Sequence, residues 1–382
     1  MFLTLYKSAL RPIEIKALLK LKIKGRAYTP PKEPLQELAL RLDDRDFCYA
    51  ALGKVSRSFS AVIQQLPCEL KDAVCVFYLV LRALDTVEDD MSIPLEQKLP
   101  LLIDFYKKSN TEGFSLSGIG DHDDYTVLLE NYPKVYGMFK TLKLESQETI
   151  IDITKRMGKG MADFAKREVI TIEDFDFYCH YVAGLVGIGL TNLFVTYDSN
   201  SIDLENKNGI SNSMGLFLQK TNIIRDYHED LYSDRTFWPK EIWSEYVDTL
   251  DYLAKAPEDE KSLATLNHMI VDALRHIPDC LQYLGSVKDE KIFRFTAVPQ
   301  IMAIATLSKL YNNPKVLTGV VKVRKGLAAK LMMYSITMSD VYKYFEKGIR
   351  EIEKKNKPGT PYSQETAKIL EELKEILRIK SF

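Results

Sequence analysis

The stretch LVLRALDTVEDD, residues 79–90, ends an apolar helical run with a cluster of carboxylates. At about 100° per residue, Asp85, Glu88 and Asp89 fall within an arc of roughly 100° on one helix face. Like charges four residues apart oppose helix formation by a few tenths of a kcal/mol, so this grouping is expected to need cations. The same D-x-x-E-D spacing recurs in NIIRDYHED, residues 222–230.

The second triplet consists of Asp226, Glu229 and Asp230. One such triplet is more often a solvated helix face, but two with identical spacing favour a common role. Mg²⁺ prefers oxygen ligands and is commonly held by one or two carboxylates together with substrate phosphates. We therefore expect the two acid-bearing helices to face each other and to bind a diphosphate through Mg²⁺.

Further polar side chains share the acidic faces of these two helices. The helical projection places Tyr78 and Arg82 with Asp85, and Gln219 and Asn222 with Asp226, while Arg225 and Arg235 flank the second motif. Arginine would neutralise the charge that grows on a departing diphosphate. Surface pairing with neighbouring acids is the alternative interpretation for each arginine.

Composition indicates a globular protein. The chain has 382 residues and is 46% apolar, which is ample for a sizeable core. Its net charge of −1 gives no whole-chain argument for a nucleic-acid partner. The five cysteines include no C-x-x-C pair, so free thiols in a reducing compartment are expected. No secretory signal is recognisable, and no uninterrupted apolar run of 18 residues predicts a membrane-spanning helix.

Helical periodicity dominates and strand-like alternation is almost absent, so an all-α fold is predicted. Helices are expected over residues 34–65, 69–90, 125–142, 145–164, 172–197, 209–231, 241–253, 259–284, 288–311, 326–355 and 364–379. Residues 107–124 are polar and glycine-rich, which predicts a mobile surface loop. Residues 315–325 are β-branched and indicate either a short extended piece or the start of the next helix.

The sequence predicts that the chain consists of three segments. Residues 1–33 form a basic N-terminal arm, 34–355 one large helical domain, and 356–382 a linker with a charged helix. Within residues 1–26 seven basic side chains accompany the single acid Glu14, interleaved with Leu and Ile. This arm is expected either to lie on an anionic membrane or to pack on the body as a solvated helix.

Several motifs together resemble the squalene synthase family. They are SRSF (56–59), FYLVLRALD (77–85), YCHYVAGLVGIGL (178–190), FLQKTNIIRD (217–226), DRTFWP (234–239), AVPQIMAIATL (297–307) and VVKVRKG (320–326), beside the two acidic motifs. The resemblance covers roughly residues 35–350, with the motifs in the expected order. The last two stretches have the form found in eukaryotic members.

The resemblance implies an all-α isoprenoid synthase fold with a central cavity and a head-to-head prenyltransferase activity. Two farnesyl diphosphates would condense to presqualene diphosphate with the help of Mg²⁺, and NADPH would reduce the rearranged cation to squalene. Diphosphate and substrate binding would involve Ser56, Arg57, Ser58, Phe59, Tyr78, Arg82, Gln219, Arg225 and Arg235. The metal ligands would be Asp85, Glu88, Asp89, Asp226, Glu229 and Asp230.

Other roles are implied by the same resemblance. Tyr181 matches the proposed acid or base of the first half reaction, for which a phenol is suited because it can exchange a proton with diphosphate. Asn222, Lys322 and Arg324 are implied near NADPH, and Phe295 where the second cation is handled. No G-x-G-x-x-G nucleotide motif supports the cofactor, because Gly184, Gly187 and Gly189 have the wrong order; close helix packing explains them at least as well as ligand approach.

Two alternatives stay open at the level of sequence. One is a non-reductive synthase of the dehydrosqualene or phytoene type, and the other is a non-catalytic isoprenoid-binding protein on the same scaffold. Relatives usually carry a hydrophobic anchor after the catalytic domain, whereas this chain stops at Phe382 after a charged helix. The resemblance implies a monomer at the endoplasmic reticulum membrane, with the catalytic domain facing the cytoplasm and the chain as given soluble.

Overall fold

The computed structural model describes residues 13–14, 16–17, 32–203, 207–232 and 237–380. Within these ranges the chain is helical and contains no β-strand beyond isolated bridges, which confirms the all-α prediction. The helices are α1 (Leu35–Ala39), α2 (Asp44–Val55), α3 (Arg57–Ile63), α4 (Cys68–Asp89), α5 (Leu95–Lys108), α6 (Asp123–Glu130), α7 (Tyr132–Lys140), α8 (Leu144–Phe164), α9 (Ile172–Cys179), α10 (Leu185–Tyr197), α11 (Lys207–Leu231), α12 (Lys240–Trp243), α13 (Tyr252–Lys255), α14 (Glu260–Leu274), α15 (Ile277–Ser286), α16 (Glu290–Leu310), α17 (Lys325–Tyr334), α18 (Met338–Lys355) and α19 (Ser363–Lys380). A π-helical turn, His180–Gly184, joins α9 to α10, and a 3₁₀ turn covers Pro314–Val316.

Contacts divide the chain into two compact units. The N-terminal unit comprises Lys24–Arg167 and Leu185–Asp203. The C-terminal unit comprises Met1–Ile23, Glu168–Gly184 and Leu204–Phe382. Each unit carries one of the two acidic motifs. The boundaries proposed at residues 33 and 355 stay a prediction, as does the expected facing of the two acidic helices.

In the N-terminal unit, close helix packing positions α4. Helix α8 packs against α4, α5 and α10, and α10 also packs against α4. A Cβ at Gly158 would collide with the Leu102 carbonyl, and one at Gly189 would collide with the Phe77 ring. Glycine at these two positions therefore lets the helix backbones approach closely. This confirms packing as an explanation for Gly189.

In the C-terminal unit, α11 is the central helix. It packs against the π-turn and against α14, α15 and α16, while α18 packs on α16. The last helix, α19, buries Leu370, Leu373 and Leu377 and contacts α14 and α18. The charged C-terminal segment therefore has an apolar stripe that packs on the same unit.

Several helix predictions need correction. Residues 34–65 form three helices, α1 to α3, and residues 125–142 are divided between α6 and α7. Helix α5 was not expected and has Pro100 in its interior. Residues 241–253 form only parts of two four-residue helices, α12 and α13. The span 259–284 breaks after Leu274, and α15 starts with proline in its first turn. The span 326–355 is interrupted before α18, where Thr337 and Asp340 form a capping box.

The segment 107–124 is anchored rather than free. Phe114 packs edge-on against Phe105 and Tyr132, with ring centroids 5.8 and 5.4 Å away. Leu116 N–H donates to the Leu129 carbonyl at 3.1 Å. Most of the segment lacks helix, as predicted, but these contacts do not support the predicted mobility. Upstream of α17, residues 315–316 belong to the 3₁₀ turn and residues 317–324 lack helix, so the next helix does not start before Lys325.

Among the described residues, the helical stretch Ile172–Tyr197 is long and apolar enough to cross a membrane by length and composition alone. Its first turns contain Glu173, Asp174 and Asp176, so the stretch is not an uninterrupted apolar run in the sequence. Asp176 pairs with a buried lysine of α11, which is the behaviour of a helix packed inside a protein. Length and composition therefore do not establish a membrane span here.

Candidate active site

The first acidic motif lies in the last turns of α4. Leu81, Leu84 and Val87 are buried, whereas the carboxylate-bearing residues Asp85, Glu88 and Asp89 are half-exposed. Three carboxylates near a helix C-terminus add to the negative end of the helix dipole, at a cost of about 0.3–1 kcal/mol each. The arrangement therefore favours binding of cations over helix stability.

Arg82 is the cation that the chain itself places beside this motif. Its Nη1 lies 3.7 Å from Asp85 Oδ2, and its guanidinium lies 5.3 Å from the centroid of the Tyr125 ring. Burial lowers the pKa of Arg82, but the negative charge of Asp85 and the neighbouring Tyr78 raise it overall. Arg82 Nε is buried without a hydrogen-bond partner among the described residues. An N–H donor in this state fits a phosphate oxygen.

The SRSF segment lies at the junction of α2 and α3. Ser56 is the non-helical residue between the two helices and is buried. Phe59 is 39% exposed, and its ring centroid lies 6.1 Å from that of Tyr78 on α4. These contacts bring Phe59 to the polar side of α4. The side chains of Arg57 and Ser58 fall outside the described part of the structure.

Asp90 closes the end of α4 and was not singled out from sequence. Its carboxylate accepts hydrogen bonds from Ser92 N–H at 2.9 Å and from Gly120 N–H at 2.8 Å. Gly120 has a φ of 125°, a conformation that favours glycine. Burial raises the pKa of Asp90, but the hydrogen bonds from Ser92 and Gly120 lower it overall. Asp90 therefore anchors the 107–124 segment beside the acidic motif.

The second acidic motif occupies the last turns of α11. Asp226 accepts two hydrogen bonds from Arg225, from Nε at 2.7 Å and from Nη2 at 2.5 Å. Burial opposes the charge of Arg225, but these hydrogen bonds and the charge of Asp226 raise its pKa overall. Glu229 is exposed and Asp230 half-exposed. As in α4, the carboxylates add to the negative end of the helix dipole.

Three further residues were predicted near this motif, and the structure describes two of them. Gln219 and Asn222 are half-exposed on α11, whereas Tyr227 is buried and donates to the Leu250 carbonyl at 2.8 Å. Trp238 packs on Tyr227 and holds the segment after the motif. Arg235 lies outside the described residues.

Tyr181 lies in the π-helical turn, a feature that periodicity did not predict. π-turns inside α-helices often occur at functional sites. The turn packs tightly on α11, because a Cβ at Gly215 would collide with the Ala183 carbonyl and one at Gly184 with Asn212. The neighbouring His180 Nδ1 lies 2.6 Å from Asn212 Oδ1. These contacts fix the backbone that carries Tyr181.

A buried ion network ties the same turn region to α11 and α14. Lys220, 1% exposed, lies 2.5 Å from Asp176 on α9 and 2.6 Å from Asp272 on α14. Burial lowers the pKa of Lys220, but the charges of Asp272 and Asp176 raise it overall. Burial raises the pKa of Asp176 despite Lys220. The sequence contains a signal for this network, because Lys220 falls on the apolar face that includes Leu216, Phe217 and Ile224.

The residues expected near NADPH are not joined by contacts. Asn222 lies on α11, Lys322 is exposed, and no hydrogen bond links Asn222 to Lys322 or Arg324 within the described ranges. Arg324 pairs with Glu14 at 2.9 Å, and its Nε is buried without a hydrogen-bond partner in the same ranges. Two cationic side chains, one with an unused donor, fit the phosphates of a dinucleotide. Phe295 is buried in α16.

The donor set fits Mg²⁺ when the ion is bound together with diphosphate. All six predicted ligands are carboxylates, the hard oxygen donors that Mg²⁺ takes in small number beside phosphates. No group of three or more His, Cys, Asp and Glu side chains is close enough to hold a metal ion by itself in the described part of the chain. The diphosphate is therefore expected to contribute ligands.

Comparison with known proteins gives a consistent result. Residues 52–326 match the squalene/phytoene synthase family. The chain is 49% identical to squalene synthase BSS of Botryococcus braunii over 87% of this chain and 74% of that protein. It is 50% identical to squalene synthase 1 of Arabidopsis thaliana, over 87% of this chain and 81% of that protein.

Solved structures agree with these sequence matches. The complex of TcSQS with the ligand BPH1237 superposes with a TM-score of 0.83 at 42% identity, covering 88% of this chain and 98% of that one. A dehydrosqualene synthase in complex with a ligand gives a TM-score of 0.52 at 19% identity, covering 82% of this chain and all of that one. The second likeness concerns the fold alone.

Proposed function

Because this chain belongs to the squalene/phytoene synthase family, we infer that it condenses two farnesyl diphosphates head to head and converts the product to squalene. Its high identity to squalene synthases over most of its length carries this inference. The intact acids of both D-x-x-E-D motifs support a catalytic protein over a non-catalytic binding protein. The non-reductive alternative is not favoured, since the likeness to a dehydrosqualene synthase is limited to the fold.

The charges at the ends of α4 and α11 define the expected role of each motif. When bound, Mg²⁺ supplies Lewis-acid neutralisation of a diphosphate, and NADPH supplies a hydride. The carboxylates of both motifs hold the cations, while Arg82 and Arg225 neutralise negative charge on the departing diphosphate. Arg225 can turn toward a phosphate once Asp226 binds a cation instead. Ser56, Phe59, Tyr78 and Gln219 bind the remainder of the substrate.

The first half reaction forms presqualene diphosphate. One farnesyl diphosphate loses its diphosphate to give an allylic cation, and the double bond of the other captures that cation. The adduct then loses a proton as the cyclopropane ring closes. We assign the transfer of this proton to the Tyr181 phenol, whose backbone is fixed by the π-turn.

Replacement of Tyr181 by Phe tests this role. We expect formation of presqualene diphosphate to fall about 10²-fold, the usual size of an acid–base contribution. Single-turnover product analysis with farnesyl diphosphate measures the effect, and Tyr197→Phe at the end of α10 is the matched control. An unchanged first step in Tyr181→Phe would place the proton chemistry on another group.

The reductive half reaction tests the function as a whole. Presqualene diphosphate loses its one remaining diphosphate and the carbon skeleton of the resulting cation rearranges; NADPH, when bound, would supply the hydride that converts this cation to squalene. Lys322, Arg324 and Asn222 bind the cofactor in this proposal, and Phe295 lines the pocket of the second cation. Incubation with farnesyl diphosphate and Mg²⁺ should give squalene only when NADPH is added. A product set that is independent of NADPH would favour the dehydrosqualene-type enzyme.

We also propose that the protein acts as a monomer at the endoplasmic reticulum membrane, with its catalytic part in the cytoplasm. The family resemblance supports this location. Cell fractionation of the tagged chain, with an endoplasmic reticulum marker as reference, would test it.

A further inference from the structure

A basic groove lies on the C-terminal unit, and none of the side chains that line it is assigned to the reaction. Helices α17 and α18 and the described residues of the N-terminal arm line a groove of about 790 Å³. Six lysine or arginine side chains line it, against three acidic ones. The groove is therefore net positive although the whole chain carries a net charge of −1.

The acidic side chains of the groove already have partners. Asp340 accepts hydrogen bonds from the N–H groups of Ile336 and Thr337. Glu346 pairs with Arg350 at 2.5 Å, and Glu351 pairs with Lys309 at 2.7 Å. Glu346 and Glu351 are therefore offset by their cationic partners, whereas Asp340 keeps its negative charge because backbone N–H groups carry none; six cations against three acids still leave the lining net positive.

Four groove lysines have no ion pair within the described part of the chain: Lys16, Lys330, Lys343 and Lys354. Clustered positive charges without counter-charges attract anions from solution. A lysine ammonium binds phosphate as a point charge and does not need a rigid geometry. The lining therefore suits a phosphate-bearing partner.

Two apolar side chains distinguish this groove from a simple anion site. Ile13 is 53% exposed and Ile336 is 41% exposed, and both line the groove. The ion pair between buried Glu14 and Arg324 holds the arm residues in place. A soluble anion would leave both isoleucines in water, whereas a lipid surface would bury them.

We propose that this groove binds the headgroup phosphates of an anionic lipid bilayer, with Ile13 and Ile336 entering its interface. Basic and apolar side chains on one surface are the combination that binds anionic membranes. The sequence around the groove's arm residues is also basic, with seven cations among residues 1–26. The proposal does not rest on the acidic motifs, and its only link to the residues assigned to NADPH is the pair of Arg324 with Glu14.

Vesicle co-sedimentation of the full chain tests the proposal. The protein should bind phosphatidylcholine vesicles that contain phosphatidylserine, bind pure phosphatidylcholine weakly, and dissociate as salt is raised. In Lys330→Gln/Lys343→Gln/Lys354→Gln, the partition coefficient should fall at least about tenfold, because each lysine near an anionic surface contributes about fivefold. The control Lys108→Gln/Lys159→Gln/Lys291→Gln removes the same number of positive charges outside the groove. It should change the partition coefficient less than about twofold.

A second comparison separates a lipid from a free phosphate. Ile13→Ser/Ile336→Ser should weaken vesicle binding several-fold and leave titration with inorganic phosphate unchanged. Tight binding of inorganic phosphate without vesicle binding would overturn the lipid assignment. Equal losses of vesicle binding in the two lysine triple variants would contradict the assignment of membrane binding to this groove. Unchanged far-UV circular dichroism and squalene formation in detergent would show that each variant is folded.

Discussion

Asp226→Asn is expected to reduce consumption of farnesyl diphosphate by at least about 10³-fold, because it removes a charge that binds the cation at the leaving diphosphate. Asparagine keeps the size of the side chain and one oxygen, so the fold should persist. Asp226 is half-exposed, and its strong contact is the bidentate pair with Arg225. Diphosphate release and product analysis over a range of Mg²⁺ concentrations measure the effect.

Two controls make this result specific. Asp163→Asn on α8 makes the same chemical change at an exposed carboxylate and should leave turnover unchanged. Asp85→Asn should reproduce the loss, since the first motif has the same spacing and lies at the same end of its helix. Residual turnover in either motif variant should need more Mg²⁺. Near-normal turnover in Asp85→Asn or Asp226→Asn would contradict the assignment of metal ligands.

Lys220→Met is expected to destabilise the protein by about 3–5 kcal/mol, because removal of one member of a buried ion network leaves uncompensated charge. Asp176 and Asp272 would remain near α11 without the ammonium that they share. Arg275, 3.4 Å from Asp272 but mostly exposed, offsets only part of that charge. Denaturant unfolding at neutral pH measures the loss.

The pH dependence of Lys220→Met gives a second readout. Burial already raises the folded-state pKa of Asp176 above its unfolded value, and loss of Lys220 should raise it further. The loss of stability caused by Lys220→Met is therefore complete above the folded-state pKa of Asp176. It declines as the pH falls through that pKa toward the pKa of Asp176 in the unfolded chain. The difference in unfolding free energy between wild type and variant should therefore shrink in acid. His276, whose pKa burial and Lys220 lower to about 4, acts in the same direction, because loss of Lys220 relieves part of that lowering and reduces the cost of keeping His276 neutral in acid.

A compensated variant controls for simple loss of packing. Asp176→Asn/Lys220→Met/Asp272→Asn removes all three charges and should recover part of the stability. No recovery would mean that the lysine stem contributes by packing rather than by charge. A fully stable Lys220→Met would contradict the network.

The long helices of this fold could be predicted from sequence, but several of their ends could not. Apolar periodicity located α4, α8 and α11 because each buries a continuous stripe. The breaks before α15 and α18 depend on Pro278 and on a capping box, which act within one turn and do not alter the longer apolar pattern. Helix α5 was not predicted, and the proline in its interior, Pro100, is unusual for an α-helix.

In the candidate site, too, only features formed by residues close together in the sequence could be predicted. The acidic triplets, Arg82 and Tyr181 were recognisable because their spacing and motifs are local. The network around Lys220 joins residues separated by 44 and 52 positions, and only the tertiary structure brings them together. The hydrogen bonds of Asp90 depend on the distant Gly120 in the same way.

The interleaving of the two units constrains how the chain is made. Leu185–Asp203 completes the N-terminal unit, yet Glu168–Gly184, which precedes it, belongs to the C-terminal unit. During synthesis the π-turn with Tyr181 leaves the ribosome before α11, the helix on which it packs. Its tight glycine contacts therefore cannot form until residues beyond 204 have emerged. Cutting the chain at residue 167 would remove α10 from the N-terminal unit, so a single cut cannot yield two intact halves.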